Sequence, residues 1–216
     1  MTRSFLLAGV VLAWTLLIAS CGSAEGPGSP EEAYWTAREA IEDDRAQDAI
    51  DGFTERGQRL LAAHCLLQVV SERARQPAVE AFGELAERTG GEPIDLWRLE
   101  MKGGVEAAAR HGIDGERLDA LLARMTAASE GSGEDLDEGL RAEVDALADR
   151  NAFLVDLLPL AWISVFENAS LGEVELDGSR ATIPVRYLDS ELERTPGTVE
   201  LVRERGVWKV DAFQGG

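Results

Sequence analysis

Three features of the chain have side-chain types that do chemistry: the adjacent pair His64-Cys65, the carboxylate of Asp156 among Val155, Leu157 and Leu158, and the acidic run Glu42-Asp43-Asp44 with Asp48 and Asp51. A thiol beside an imidazole suggests a nucleophile, and a carboxyl in apolar surroundings suggests a general acid or base. Spacing argues against both. Neighbours on a helix point about 100° apart, so His64 and Cys65 do not face one another and cannot share a proton. The flanking Leu60-Leu61-Ala62-Ala63 and Leu66-Leu67 predict a helix largely inside the core, where a thiol is an inert small hydrophobe. Asp156 reads as a helix-edge residue. The acidic run offers oxygen ligands for calcium, but its spacing does not match an EF-hand loop and no glycine sits centrally among alternating oxygens. It reads as a solvated break between helices. The glycine pairs lack the order of a phosphate loop, and Asn168-Ala169-Ser170 fits the glycosylation pattern only by chance. Two cysteines and two histidines are too few for a disulfide framework or a His/Cys metal cage. No catalytic residue, metal or cofactor is assigned from the sequence.

Composition narrows the field further. The 216 residues carry 40 Asp and Glu against 21 Lys and Arg, a formal charge of -19. Phosphate binding needs a positive field, so nucleic acid is not an expected partner. With 45% apolar residues and a mean hydropathy of -0.13, the chain can bury a core. Its length suits one domain, or one and a half.

The amino terminus reads as an address. Arg3 provides a short positive region, and Phe5 to Ala19 (FLLAGVVLAWTLLIA) follows without a charge. That stretch suits a signal peptide and falls short of the roughly 18 apolar residues expected of a spanning helix. It closes on Ile18-Ala19-Ser20-Cys21, which resembles the bacterial lipoprotein signal: an aliphatic residue, two small ones and a cysteine. The resemblance implies that Cys21 takes a diacylglyceryl thioether, that residues 1–20 are removed and that the new amino terminus is acylated. By the sorting rule of the resembled family, Gly22 after the cysteine, in place of Asp, implies the outer membrane in a cell that has one. Loss of Arg3 takes the charge from -19 to -20. An acidic body is repelled by anionic lipid, so the anchor would hold the protein at the membrane. Lipidation leaves Cys65 unpaired. Residues 21–30, with Gly26-Pro27-Gly28-Ser29-Pro30, read as a flexible tether; the nine residues after Cys21 reach about 30 Å when extended.

The elements that would position any site are helical first and stranded last. Ser29-Pro30-Glu31-Glu32 predicts a helix start with a capping box. Ala33, Ala37, Ala40 and Ile41 share a face, and Ala46, Ala49, Ile50 and Phe53 form a second. A third helix is expected from about Gln58 to Ala74, and Pro77 opens a fourth carrying Val79, Phe82, Leu85 and Ala86. Shorter helices fill residues 92–128. Leu136, Leu140, Val144, Leu147, Asn151, Leu154 and Leu158 predict one helix that ends or kinks at Pro159. Leu160 to Glu167 fits either a strand or the last turns of that helix. Strands are expected at Leu171 to Leu176, Arg180 to Leu188, Thr198 to Arg205 and Val207 to Phe213, with turns at Asp177-Gly178 and Arg205-Gly206. Pro184 requires an edge or a bulge. The sum is an α+β fold: a helical N-terminal and central region, then a C-terminal antiparallel β-meander of about four strands. The globular domain spans residues 31–216, with residues 58–150 a helical insert or layer and 165–213 the sheet.

Ser29-Pro30-Glu31-Glu32-Ala33 starting a helix, the acidic break and then Ala46 to Phe53, and the tail Gly197 to Phe213 with Leu201-Val202-Arg203-Glu204-Arg205-Gly206-Val207-Trp208-Lys209-Val210-Asp211, resemble the two ends of small bacterial lipoproteins with the nuclear transport factor 2-like (cystatin-like) fold. The match covers about a third of the chain, and the helical middle departs from it. That resemblance implies a curved sheet around a long helix with a conical cavity, used by isomerases, dehydratases and non-enzymatic binding domains alike. In an enzyme of this kind the pocket would lie near Tyr34, Trp162 and Tyr187, the weak ligand-binding candidates. Trp35, Trp97, Trp162 and Trp208 are expected mainly as core anchors. The function expected is a membrane-anchored, non-enzymatic cell-envelope lipoprotein, exported from the cytoplasm, with a binding or scaffolding role toward an envelope protein or a small apolar ligand. The alternative is an isomerase- or dehydratase-like enzyme with a cone-shaped pocket.

Overall fold

A computed structural model describes residues 26–89, 103–129, 136–167, 169–188 and 194–215. Among them, helices come first and an antiparallel sheet last, an α+β fold. Helix α1 (Pro30–Glu42) starts as its sequence dictates: the Ser29 hydroxyl accepts the Glu32 N–H, and the Glu32 carboxylate reaches back to the Gly28 N–H at 2.7 Å. It buries Ala33, Tyr34, Ala37, Ala40 and Ile41. Helix α2 (Ala46–Asp51) follows a break in which Asp44 takes a positive φ of 55°.

Helix α3 (Glu55–Thr89) runs for 35 residues, about 52 Å at helical rise. Its capping residue, Thr54, accepts the Gly57 N–H. Pro77 does not open a separate helix as its type predicts; α3 continues through it. Pro77 stands where α3 has left the core and is exposed, so water can satisfy the carbonyl that proline leaves without a donor. Around α3 pack α4 (Gly104–Arg110), α5 (Gly115–Ser129), α6 (Leu136–Asp145) and α7 (Arg150–Leu157). The single helix expected from Leu136 to Leu158 is two, because Asp149 turns its carboxylate to the Ala152 N–H and starts α7 afresh. A short 3-10 turn at Leu158–Leu160 ends it, and residues 161–167 form no strand.

The sheet contains β1 (Ser170–Leu171), β2 (Glu175–Asp177), β3 (Arg180–Leu188), β4 (Arg194–Glu204) and β5 (Val207–Gly215), with β1 and β2 both on one side of β3 and the order continuing β3-β4-β5. β3 is interior, yet Pro184 is tolerated: on the β1–β2 side its carbonyl accepts the Gly172 N–H at 2.7 Å, and pairing there is interrupted between Leu171 and Glu175. Arg205 and Gly206, at φ 51° and 92°, make the two-residue turn between β4 and β5 whose hand matches strand twist. Ala181, Ile183, Val185 and Tyr187 of β3, Val199 and Leu201 of β4, and Trp208 and Val210 of β5 are buried. They join α1 and α3 in one continuous apolar cluster that also takes in residues of α4 to α7. Helix α3 is therefore shared, touching β5 near its start and the other helices along its length.

Candidate functional site

The three residues of the expected pocket have separate partners. Tyr34 is fully buried, and its hydroxyl donates to the Val165 carbonyl at 2.9 Å. Burial pushes that phenol up to about 12. Its ring stacks on Phe166 at 5.5 Å, and Phe166 in turn meets Phe53 and Phe213 edge-on, each at 5.7 Å. Tyr187 is buried on β3 with its ring against Gly197 of β4, where an added Cβ would lie 2.8 Å from Cε1. Trp162 is half-buried, beyond the end of α7.

Trp162 is bound through its backbone. Its N–H donates to Gln68 Oε1 at 2.9 Å, and its carbonyl accepts from Gln68 Nε2, so one side-chain amide closes on both backbone polar groups of one residue. This orientation turns the Gln68 nitrogen toward His64 Nε2 at 2.8 Å. The same His64 Nε2 also lies 3.1 Å from the Trp162 carbonyl, so the ring accepts from Gln68 in one tautomer and donates to that carbonyl in the other. Burial holds the imidazole below its usual value, in keeping with the neutral form, and its ring meets Phe213 edge-on at 6.0 Å. Cys65 next to it is fully buried, and burial pushes its thiol up to about 12. Thiolate chemistry needs the reverse.

Glu167 closes the same corner, accepting the Ile163 N–H at 3.2 Å. Its carboxyl is raised, chiefly by burial, against the opposing pull of that hydrogen bond. Glu72, which accepts the Gly103 and Val105 N–H groups at the start of α4, is raised for the same first reason. A carboxyl with a folded pKa above its unfolded one binds more protons in the fold. Stability is therefore expected to fall as pH rises from the ordinary Glu value, about 4.3, through the raised folded value. Glu167→Gln, whose amide oxygen can still accept the Ile163 N–H, should flatten this slope in urea titrations between pH 4 and 7. An unaltered slope would show that Glu167 does not contribute to it.

Asp156 is not a poised base. It accepts from Arg110 at 3.1 Å and faces His111 Nε2 at 3.0 Å, and these partners hold its carboxyl below the usual range. The acidic break after α1 is drawn together by Arg45, which pairs with Asp48 at 2.8 Å and Asp43 at 3.5 Å. Trp35 departs from its expected role: 45% exposed on the outer face of α1, it carries the Arg38 guanidinium over its ring at 5.1 Å. Its neighbour Tyr34 takes the inward position, and one helix turn cannot point both inward. Trp208 is buried. Cys21 and Trp97 lie outside the described residues.

Two features were beyond sequence reasoning. The register between β4 and β5 shifts at Glu200/Leu201, leaving Asp211 as an extra residue in β5. Asp211 accepts from the Thr54 hydroxyl at 2.6 Å and from Arg56 at 2.7 Å, tying the start of α3 to the sheet. The second is a pair of concavities. An open groove of about 890 Å³ lies between α2 and the β4–β5 hairpin, with Asp48 and Asp51 on the helix side and Glu204, Arg205 and Lys209 on the hairpin side. A smaller one of about 360 Å³ has Arg56, Arg59 and Arg141 around Leu60, Ala63 and Val144. Each of those guanidinium groups already faces a carboxylate: Asp211, Glu55 and Asp137 respectively. Neither of these two concavities includes Tyr34, Trp162 or Tyr187. Among the described residues, no helix is long and apolar enough to cross a membrane.

Comparison with protein-family models, with curated proteins and with solved structures finds no match to this chain.

Proposed function

We propose that this chain is a membrane-anchored cell-envelope lipoprotein, held on the bilayer by acylation of Cys21, with a binding or scaffolding role toward a small ligand or another envelope protein. The sequence Ile18-Ala19-Ser20-Cys21 after an uncharged run is the ground for the anchor. The observation that carries the reading furthest is how the first described residues pack on the body. Gly26 lies against Val207, where an added Cβ would come within 2.6 Å of Cγ1, the Pro27 carbonyl accepts the Trp208 N–H, and α1 starts at Pro30. Cys21 stands five residues before Gly26 in the chain, so lipid on it would be held close to the β4–β5 hairpin that Gly26 meets. Two or more acyl chains give stable anchoring where one gives marginal binding.

The reading includes no catalytic step. The Tyr34 hydroxyl is taken by the Val165 carbonyl, Cys65 is sealed in the core, and Asp156 is held ionised by Arg110 and His111. The groove beside the β4–β5 hairpin supports a binding role by its size and its charges of both signs.

Metabolic labelling with a fatty acid should mark the wild-type chain, and Cys21→Ala should lose the label and move from the membrane to the soluble fraction. Wild-type protein that stays unlabelled and soluble would overturn the anchor.

A further inference from the structure

The short span between Cys21 and Gly26 restricts which side of the body can face a bilayer. Five residues extend to at most about 18 Å. The long flexible tether expected from composition, by contrast, is partly used up: Gly26 to Ser29 are bonded to the body through the Val207 contact, the Trp208 N–H, Glu32 and the helix cap. Gly26 meets the β4–β5 hairpin at Val207, directly after its turn. The β2–β3 turn lies at the same end of the sheet, since Asp177 pairs with Arg180, Arg180 with Val202, and the Arg203 N–H reaches the Ser179 carbonyl at 2.7 Å. This end also presents Leu176, which at 65% is the most exposed of the large hydrophobic side chains among the described residues. The groove with Asp48 and Asp51 facing Arg205 and Lys209 opens beside it.

We infer that the sheet end bearing the β2–β3 and β4–β5 turns is a bilayer-facing surface, kept there by the short Cys21–Gly26 span, and that its partner is the zwitterionic head-group layer of the membrane. This inference rests on the lipid-anchor reading above. Charge selects the partner. The whole chain is at -19 and is repelled by anionic lipid, whereas this groove sets Asp51, Glu204 and the Arg45-paired Asp48 beside Arg205 and Lys209, charges of both signs that can meet the ammonium and the phosphate of a zwitterionic head group. Leu176 adds apolar surface at the depth where such side chains enter the interface.

Hydrogen–deuterium exchange tests it on two preparations in phosphatidylcholine–phosphatidylethanolamine vesicles: the acylated chain purified from host membranes, and the processed chain coupled through the Cys21 thiol to a maleimide lipid. The buried Cys65 does not compete for coupling. The coupled preparation reads the orientation whether or not a cell acylates Cys21, so failure of the anchor and failure of this inference are separate results. Amides of residues 204–207 and 177–180 are expected to exchange at least about threefold more slowly than in the free protein, with residues 194–197 at the opposite end of the sheet unchanged. A flexible insert of about twelve residues between Glu25 and Gly26 should remove at least half of that protection, and Leu176→Asp should weaken it with the fold intact. Equal protection at both ends of the sheet, protection only at residues 194–197, or protection indifferent to the insert would overturn the inference.

Discussion

Removal of residues 197–216 is expected to abolish cooperative unfolding. The deletion takes β5 whole and most of β4, and with them Val199, Leu201, Trp208 and Val210, all buried, as well as Phe213 against the core. Each such loss costs about 2–5 kcal/mol, so together they match or exceed the roughly 5–15 kcal/mol by which a domain is ordinarily stable. The damage extends into the helices. Residues 52–54 pair with Val210, whose N–H reaches the Gly52 carbonyl and whose carbonyl accepts the Thr54 N–H, each at 2.9 Å. Gly57 packs so closely on the Val210 carbonyl that a Cβ there would stand 2.5 Å away. Helix α3, the axis around which the other helices pack, would lose the surface that seats its first turn. Circular dichroism during heating and urea titration checks this. A sigmoidal melt equal to that of the whole chain would mean that the helices fold as a domain of their own.

Phe166→Ala is expected to cost about 4 kcal/mol, the value usual for emptying an aromatic site that cannot collapse. Phe166 is fully buried and is the ring on which Tyr34, Phe53 and Phe213 converge, so α1, the α2–α3 connection and β5 all lose a partner at once. Tyr34→Phe provides the contrast. It keeps the stacked ring and removes only the hydrogen bond to Val165, an expected loss of about 1 kcal/mol, somewhat more for the carbonyl left alone. Both are read from urea midpoints at unchanged slope. A Phe166→Ala loss no greater than that of Tyr34→Phe would show that the aromatic cluster is not a shared keystone.

The local chemistry of this chain was legible residue by residue. Ser29, Pro30 and Glu32 announce the start of α1, Arg180 to Leu188 alternates as β3, and Arg205-Gly206 calls for the turn it makes, because each depends on interactions within a few residues. The candidate site was much less legible. Tyr34 was singled out as one of two tyrosines, and nothing near it in sequence shows that its hydroxyl meets a carbonyl 131 positions away. Gln68 closing on Trp162 spans 94 positions, and Thr54 meeting Asp211 spans 157.

The sequence by itself determined the order of helices and then strands, the fold class, and the caps and turns, since periodicity and spacing express them directly. Tertiary structure alone decided that α3 passes through Pro77, that a helix stops before Asp149, and that Asp211 bulges out of β5 so that Val210 and Phe213, three positions apart, both meet the aromatic cluster or core beneath. The physical reason is the same in each case. A proline without a donor, an aspartate that can cap and a strand with one residue too many all have local alternatives of similar energy, and the choice falls to whichever lets distant surfaces close against each other.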